Sequence, residues 1–162
     1  MAQRKTTAER GKFKSEISSA LYKNEDIIEL LLGDTSGKSP VQVRSAFKEQ
    51  VKSHLFIDDT ITDAKTFIFY DVRMPYMKSQ IKGCQVIMYV MCHRDILENY
   101  VKENYFGDRI DILSQMIEDT LINDEEVANS FGIGKLSLDS IDIYNSLRFY
   151  GCIMTFNVPN FR

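Results

Sequence analysis

No stretch of this 162-residue sequence approaches the roughly 20 apolar residues that a bilayer-spanning helix needs, so neither a transmembrane helix nor a membrane partner is expected. No apolar segment follows the charges of the opening MAQRKTTAERGKFK, and the expectation is that no secretory signal stands there. Histidine is nearly absent. His54 and His93 are the only two, and neither has a partner at metal-ligand spacing, so no metal and no other cofactor is expected. Cysteine is scarce and odd in number. Cys84, Cys92 and Cys152 sit in alternating apolar segments, where a cysteine acts as a small buried hydrophobe, and a reducing, cytosolic site of synthesis fits them. An excess of positive charge is missing too: 20 basic against 23 acidic residues argue against a protein that coats nucleic acid with its whole surface.

What is present fits one domain with a proper core: 44% apolar and 27% charged residues. The first 14 residues hold five basic side chains and one acidic, which reads as a basic, flexible arm (1–14) before a single domain (15–162). That domain divides into a helical part (15–60) and a hairpin–helix–hairpin part (66–161). Helical character begins over 13–22. Asn24 is a plausible N-cap for a helix over 25–32, and Gly33 supplies its stop. Ser39-Pro40-Val41-Gln42 is a capping box with proline at the first helical position, predicting a helix from Pro40 to about His54. From residue 66 the period falls to two. Phe67 and Phe69 alternate with Ile68 and Tyr70, and Cys84, Val86, Met88 and Val90 alternate with Gln85, Ile87 and Tyr89. Ile110, Leu113, Ile117 and Leu121 restore the helical period over 108–122. Leu136, Leu138, Ile141 and Ile143 mark a third strand with a bulge near Ser140, and Cys152, Met154, Phe156 and Val158 a fourth. The expected fold is α+β: an antiparallel four-stranded sheet of two hairpins, one helix packed across it, and N-terminal helices alongside.

Two stretches imitate a nucleotide site. Gly33-Asp34-Thr35-Ser36-Gly37-Lys38-Ser39 resembles a phosphate loop, and Thr66-Phe67-Ile68-Phe69-Tyr70-Asp71 resembles a strand ending in a magnesium-binding carboxylate. Only three residues separate the two glycines where four are required, and Asp34 would set a carboxylate beside the phosphates. The strands near Val72 and Cys84 are about 11 residues apart, too few for the crossover that parallel neighbours need. The glycine-rich stretch is therefore expected to be a helix–helix loop. A nucleotide-binding enzyme using Gly37, Lys38, Ser39 and Asp71 stays as an alternative. His93-Arg94-Asp95 resembles a kinase catalytic loop without its glycine-rich partner, and Tyr100 stands where the magnesium-binding asparagine belongs. Gly132-Ile133-Gly134-Lys135 reads as a glycine turn entering a strand. No catalytic residue is assigned, and the protein is expected not to be an enzyme.

Charge is distributed unevenly. Ten acidic and three basic residues lie between Arg94 and Ser130, against the basic start. A neighbour's acidic face could receive the basic arm, which suits head-to-tail contacts; Asp124, Glu125 and Glu126 with Arg4, Lys5 and Arg10 are the expected subunit contacts. The first hairpin tip, with Arg73, Met74, Tyr76, Met77 and Lys78, offers apolar area rimmed by charge and is the expected partner-docking element. A DNA-binding adaptor using Arg4, Lys5, Arg10, Lys12 and Lys14 is the other alternative.

The hairpin 66–72 with 83–92, the stretch Gly107-Asp108-Arg109-Ile110-Asp111-Ile112-Leu113 and the closing segment from Phe149 to Val158 resemble the neck and tail-terminator proteins of tailed bacteriophages. The resemblance covers about three-fifths of the chain as an order of elements with loosely matching residues, and the helical stretch before residue 60 departs from the shortest members. It implies a structural virion protein: a homo-oligomeric ring, expected as a hexamer, at the head–tail junction, assembled in the host cytoplasm. Such a ring caps the tail tube, meets the tail-tube protein and head-completion or connector proteins, and lets DNA through its lumen without sequence-specific binding.

Overall fold

Phe13, Ile17 and Leu21 recur every four residues, so one face of α1 (Thr6–Lys23) is apolar and buries all three with Ala20. The computed structural model describes residues 6–56, 60–74, 82–125, 127 and 136–161. The expected flexible arm is thus corrected: residues 6–14 form the first half of α1, because Phe13 needs a buried partner surface and Arg10 and Lys14 find an acid on the sheet. Arg4 and Lys5 lie outside the described residues.

Asn24 has extended backbone and accepts from the N–H groups of Asp26 and Ile27, which starts α2 (Glu25–Leu32). Gly33 ends it at φ 72, where a side chain would be strained. Ser39 and Gln42 form the reciprocal capping box that opens α3 (Pro40–Gln50). The predicted run to His54 is wrong by four residues. Gln50 is buried, and its Nε2 donates to the carbonyls of Leu31 (2.8 Å) and Thr66 (3.0 Å), clamping the last helical turn between α2 and the sheet. The β-branched Val51 then turns extended and becomes the first residue of β1 (Val51–Lys52).

The remaining elements are β2 (Thr66–Arg73), β3 (Lys82–His93), a 3-10 turn at Arg94–Ile96, α4 (Arg109–Asn123), β4 (Ser137–Asn145) and β5 (Phe149–Phe161). They form a sheet of order β1-β2-β3-β5-β4. The hairpins β2–β3 and β4–β5 are antiparallel as expected, and β3 pairs with β5 to join them. The four-stranded antiparallel sheet is corrected to a mixed one of five described strands, because β1 pairs parallel with β2. Two residues are too few to show an alternation, so periodicity could not reveal β1. The α+β class stands. The irregularity expected near Ser140 lies between Leu138 and Ser140.

One sheet face carries Ile68, Tyr70, Val72, Val86, Met88, Val90, Met154 and Phe156, all buried under the helices. Ile110, Leu113, Met116, Ile117 and Leu121 of α4 meet that face; each such side chain contributes roughly 1.5–3 kcal/mol on burial. The opposite face holds a smaller cluster of Phe67, Phe69, Met91 and Phe149. Gly151 sits where β3 and β5 approach closely, and a Cβ there would lie 1.9 Å from the Val90 carbonyl oxygen.

Candidate functional site

The loop 33–39 connects α2 to α3, and its Asp34 and Ser39 side chains are occupied locally. The N–H of Ser36 donates to Asp34 Oδ1 at 2.9 Å, which holds that carboxyl below its ordinary range. Ser39 Oγ accepts from Gln42 N, so it caps the helix. Asp71, the other half of the nucleotide look-alike, is held by Arg10 Nη2 (2.6 Å) and Lys14 Nζ (2.8 Å). Burial pushes the Asp71 carboxyl up, but the Lys14 hydrogen bond, the Val72 N–H and the charges of Lys14 and Arg10 outweigh it, leaving the group below its ordinary value. Arg10 Nε also donates to the Val72 carbonyl at 2.7 Å. The expected subunit-contact residue Arg10 therefore ties α1 to the end of β2. His93 ends β3 and accepts from Asp95 N at 3.2 Å, so His93-Arg94-Asp95 forms a strand end and a 3-10 turn. The 132–135 turn lies outside the described residues. Among the described residues, no group of three or more His, Cys, Asp or Glu could hold a metal ion.

All three cysteines are buried and free. Burial pushes the thiols of Cys84 and Cys92 up to about 12, and raises that of Cys152, whose Sγ lies 3.3 Å from Ser114 Oγ. Such thiols are poor nucleophiles near neutral pH.

The expected docking residues spread out. Arg73 is exposed at the end of β2, while Met74 leans back on the main core; Tyr76, Met77 and Lys78 lie outside the described residues. Asp124 caps the end of α4, and its Oδ1 accepts from Val127 N at 3.0 Å. Glu125 is exposed, and Glu126 is outside the described residues.

Two surfaces escaped the sequence reading. The first is a cleft of about 480 Å³ between α1 and α3, lined by Lys14, Ser15, Ser18, Tyr22, Arg44 and Lys48. Arg44 lies over the Tyr22 ring, 5.1 Å from its centroid, and the Tyr70 hydroxyl at the cleft donates to the Lys14 carbonyl at 2.7 Å. Burial raises that hydroxyl to about 12, so it stays protonated. The second is a groove of about 320 Å³ between α4 and β4, lined by Asp111, Ser114, Glu118, Ile141, Asp142 and Ile143. Ile141 is 56% exposed and Ile143 78%, and no strand pairs with the outer edge of β4 among the described residues. Phe106, 79% exposed, stands beside this groove because Gln115 bonds its backbone N–H and carbonyl. A signal did exist. One helix about 10 Å wide covers about two strands spaced 4.8 Å apart, so a four-stranded sheet under one helix leaves a margin bare.

A family model describing the YomW proteins matches residues 16–158. The chain belongs to the YomW family. This family is prophage-associated and Bacillus phage-gene-like, which points to a phage origin. The match takes in every described strand and helix from the middle of α1 to Val158, so the α4–β4 groove lies inside the YomW region, and the α1–α3 cleft does apart from Gly11, Lys14 and Ser15. No curated protein matches the sequence.

Proposed function

We propose that this YomW-family protein is a structural component of a phage particle that forms a homo-oligomeric ring at the head–tail junction. In this role it caps the tail tube, contacts head-completion or connector proteins, and leaves a channel for DNA. It is not an enzyme. The observation that carries the reading is the bare edge of β4, flanked by exposed Ile141 and Ile143, in a chain of a prophage-associated family. An open edge offers main-chain donors and acceptors that a neighbouring chain can satisfy, and large apolar side chains in water favour covering. The hairpin–helix–hairpin order agrees with the resemblance to neck and tail-terminator proteins, and a hexamer is the copy number that resemblance implies.

The basic α1–α3 cleft supports a second reading, a DNA-binding adaptor, since phosphate affinity comes mainly from Lys and Arg. Deleting the gene from a lysogen, inducing it and imaging the lysate separates the two. The ring reading expects separate heads and tails or tails of uncontrolled length, and the protein at the neck of wild-type particles. Normal infectious particles from the deletion strain, or purified virions without the protein, would refute it.

A further inference from the structure

The α1–α3 cleft and the α4–β4 groove lie on the same sheet face at opposite ends of one cross-strand row. Tyr70 pairs with Met88, Met88 with Met154, and Met154 with Ile141. Tyr70 stands at the basic cleft and Ile141 at the acidic groove. Three strand spacings separate them, about 14 Å. The cleft is lined by Lys14, Arg44 and Lys48 with no acid, the groove by Asp111, Glu118 and Asp142 with no base. Some of these charges are already engaged. Lys14 bonds Asp71, and Asp111 closes the capping box at the start of α4. Arg44, Lys48, Glu118 and Asp142 make no ion pair among the described residues, and they are the charges available to a partner.

We infer that the β4 margin of one copy docks on the α1–α3 cleft of the next, so that copies associate head to tail through these two unlike surfaces. The occupant is a second copy of this chain because the two surfaces complement each other in charge and are both built into it. A two-fold contact through β4 would set Glu118 and Asp142 against their own copies, which like-charge repulsion disfavours. A head-to-tail contact brings opposite charges together and leaves an open series with one unused surface of each kind, one at either end, and these meet when the series closes. Ile141, Ile143 and Phe106 supply the apolar centre, and Tyr22 beneath Arg44 gives them an aromatic floor. This deepens the reading of the chain as a ring-former and rests on it.

The test is sedimentation velocity on the full chain over a range of concentrations, with circular dichroism and melting curves to verify folding. Arg44→Glu with Lys48→Glu should weaken self-association tenfold or more at about 0.05 M salt, and far less at about 0.5 M. Glu118→Lys with Asp142→Lys should do the same. The chain carrying all four reversals presents swapped but complementary surfaces, and its association should return to within about threefold of the unmodified chain. Folded pairs that associate normally, or a fourfold variant that does not recover, overturn the interface. So does a wild-type chain that stays monomeric and binds duplex DNA through Arg44 and Lys48. The two readings fail separately: a virion ring that persists with a pair reversed loses this interface alone, whereas absence from virions refutes the neck function and leaves the association result standing.

Discussion

Replacing Arg109 tests how the helical half is fastened to the sheet half. Its Nε donates to the Ile96 carbonyl (3.0 Å), Nη1 to the Leu30 carbonyl (3.1 Å) and Nη2 to Asn99 Oδ1 (2.7 Å). The guanidinium also lies 5.0 Å from the centroid of Tyr100. Leu30 is in the last turn of α2, where carbonyls lack helical partners and the dipole favours a cation. One side chain thus joins the start of α4, the end of α2 and the segment after β3. Burial lowers the pKa of Arg109, yet a guanidinium keeps its charge throughout the working range. Each charged hydrogen bond is worth roughly 1.5–3 kcal/mol in a dry site, but Arg109 is half-buried and water can replace part of what is lost. Arg109→Met should therefore cost about 3 kcal/mol in urea unfolding and lower Tm by about 6–12 °C for a chain of this size. Arg109→Lys keeps the charge but reaches only one of three acceptors, so it should recover less than half. A Met variant within about 0.5 kcal/mol of wild type would show that these contacts do not fasten the two halves.

Gly151→Ala should destabilise by about 3 kcal/mol or more, because the new Cβ meets the Val90 backbone, which cannot rotate away; an unchanged urea midpoint would contradict that close approach. Asp71→Asn should remove stability that is present above about pH 4 and lost as pH falls through the depressed Asp71 value. The variant and wild-type urea midpoints should thus converge in acid, and a gap that persists unchanged at low pH would refute the linkage. Cys84, Cys92 and Cys152 should react with an aromatic disulfide reagent only after unfolding, and a fast-reacting thiol in the native protein would contradict their burial.

Legibility in the sequence followed the length of the signal. Asn24 and Ser39 were readable as helix starts because each cap needs one side chain at one spacing, and both caps form, whereas the Asp108 capping box went unread and only the spacing of Ile110, Leu113, Ile117 and Leu121 placed that helix. The long alternations at 66–72, 83–92 and 152–158 were readable because eight or more cross-strand pairs repeat the same pattern. β1 was not, since two residues carry no period. The helical start at Thr6 was hidden because Arg10, Lys12 and Lys14 look solvated until Asp71 is folded against two of them. The surfaces at the sheet margins were missed for a related reason. Ile141 and Ile143 alternate as core residues do, and only the width of α4 decides that they stay uncovered.

The position of β5 has a consequence for the order in which the molecule assembles. β5 comes last among the described elements, yet it lies inside the sheet between β3 and β4. The β2–β3 hairpin can form from neighbouring residues, but its exposed β3 flank must wait for a strand more than fifty residues later in the chain. β4 has no other described partner at all. Folding should therefore be slow and concerted for its size, because closing that long loop costs entropy before any β3–β5 pairing repays it. Until β5 arrives, the row of unpaired groups along β3 is open to any strand nearby, including one from another copy. In a cell making many copies at once, this sheet is exposed to exchange of its last strand between chains.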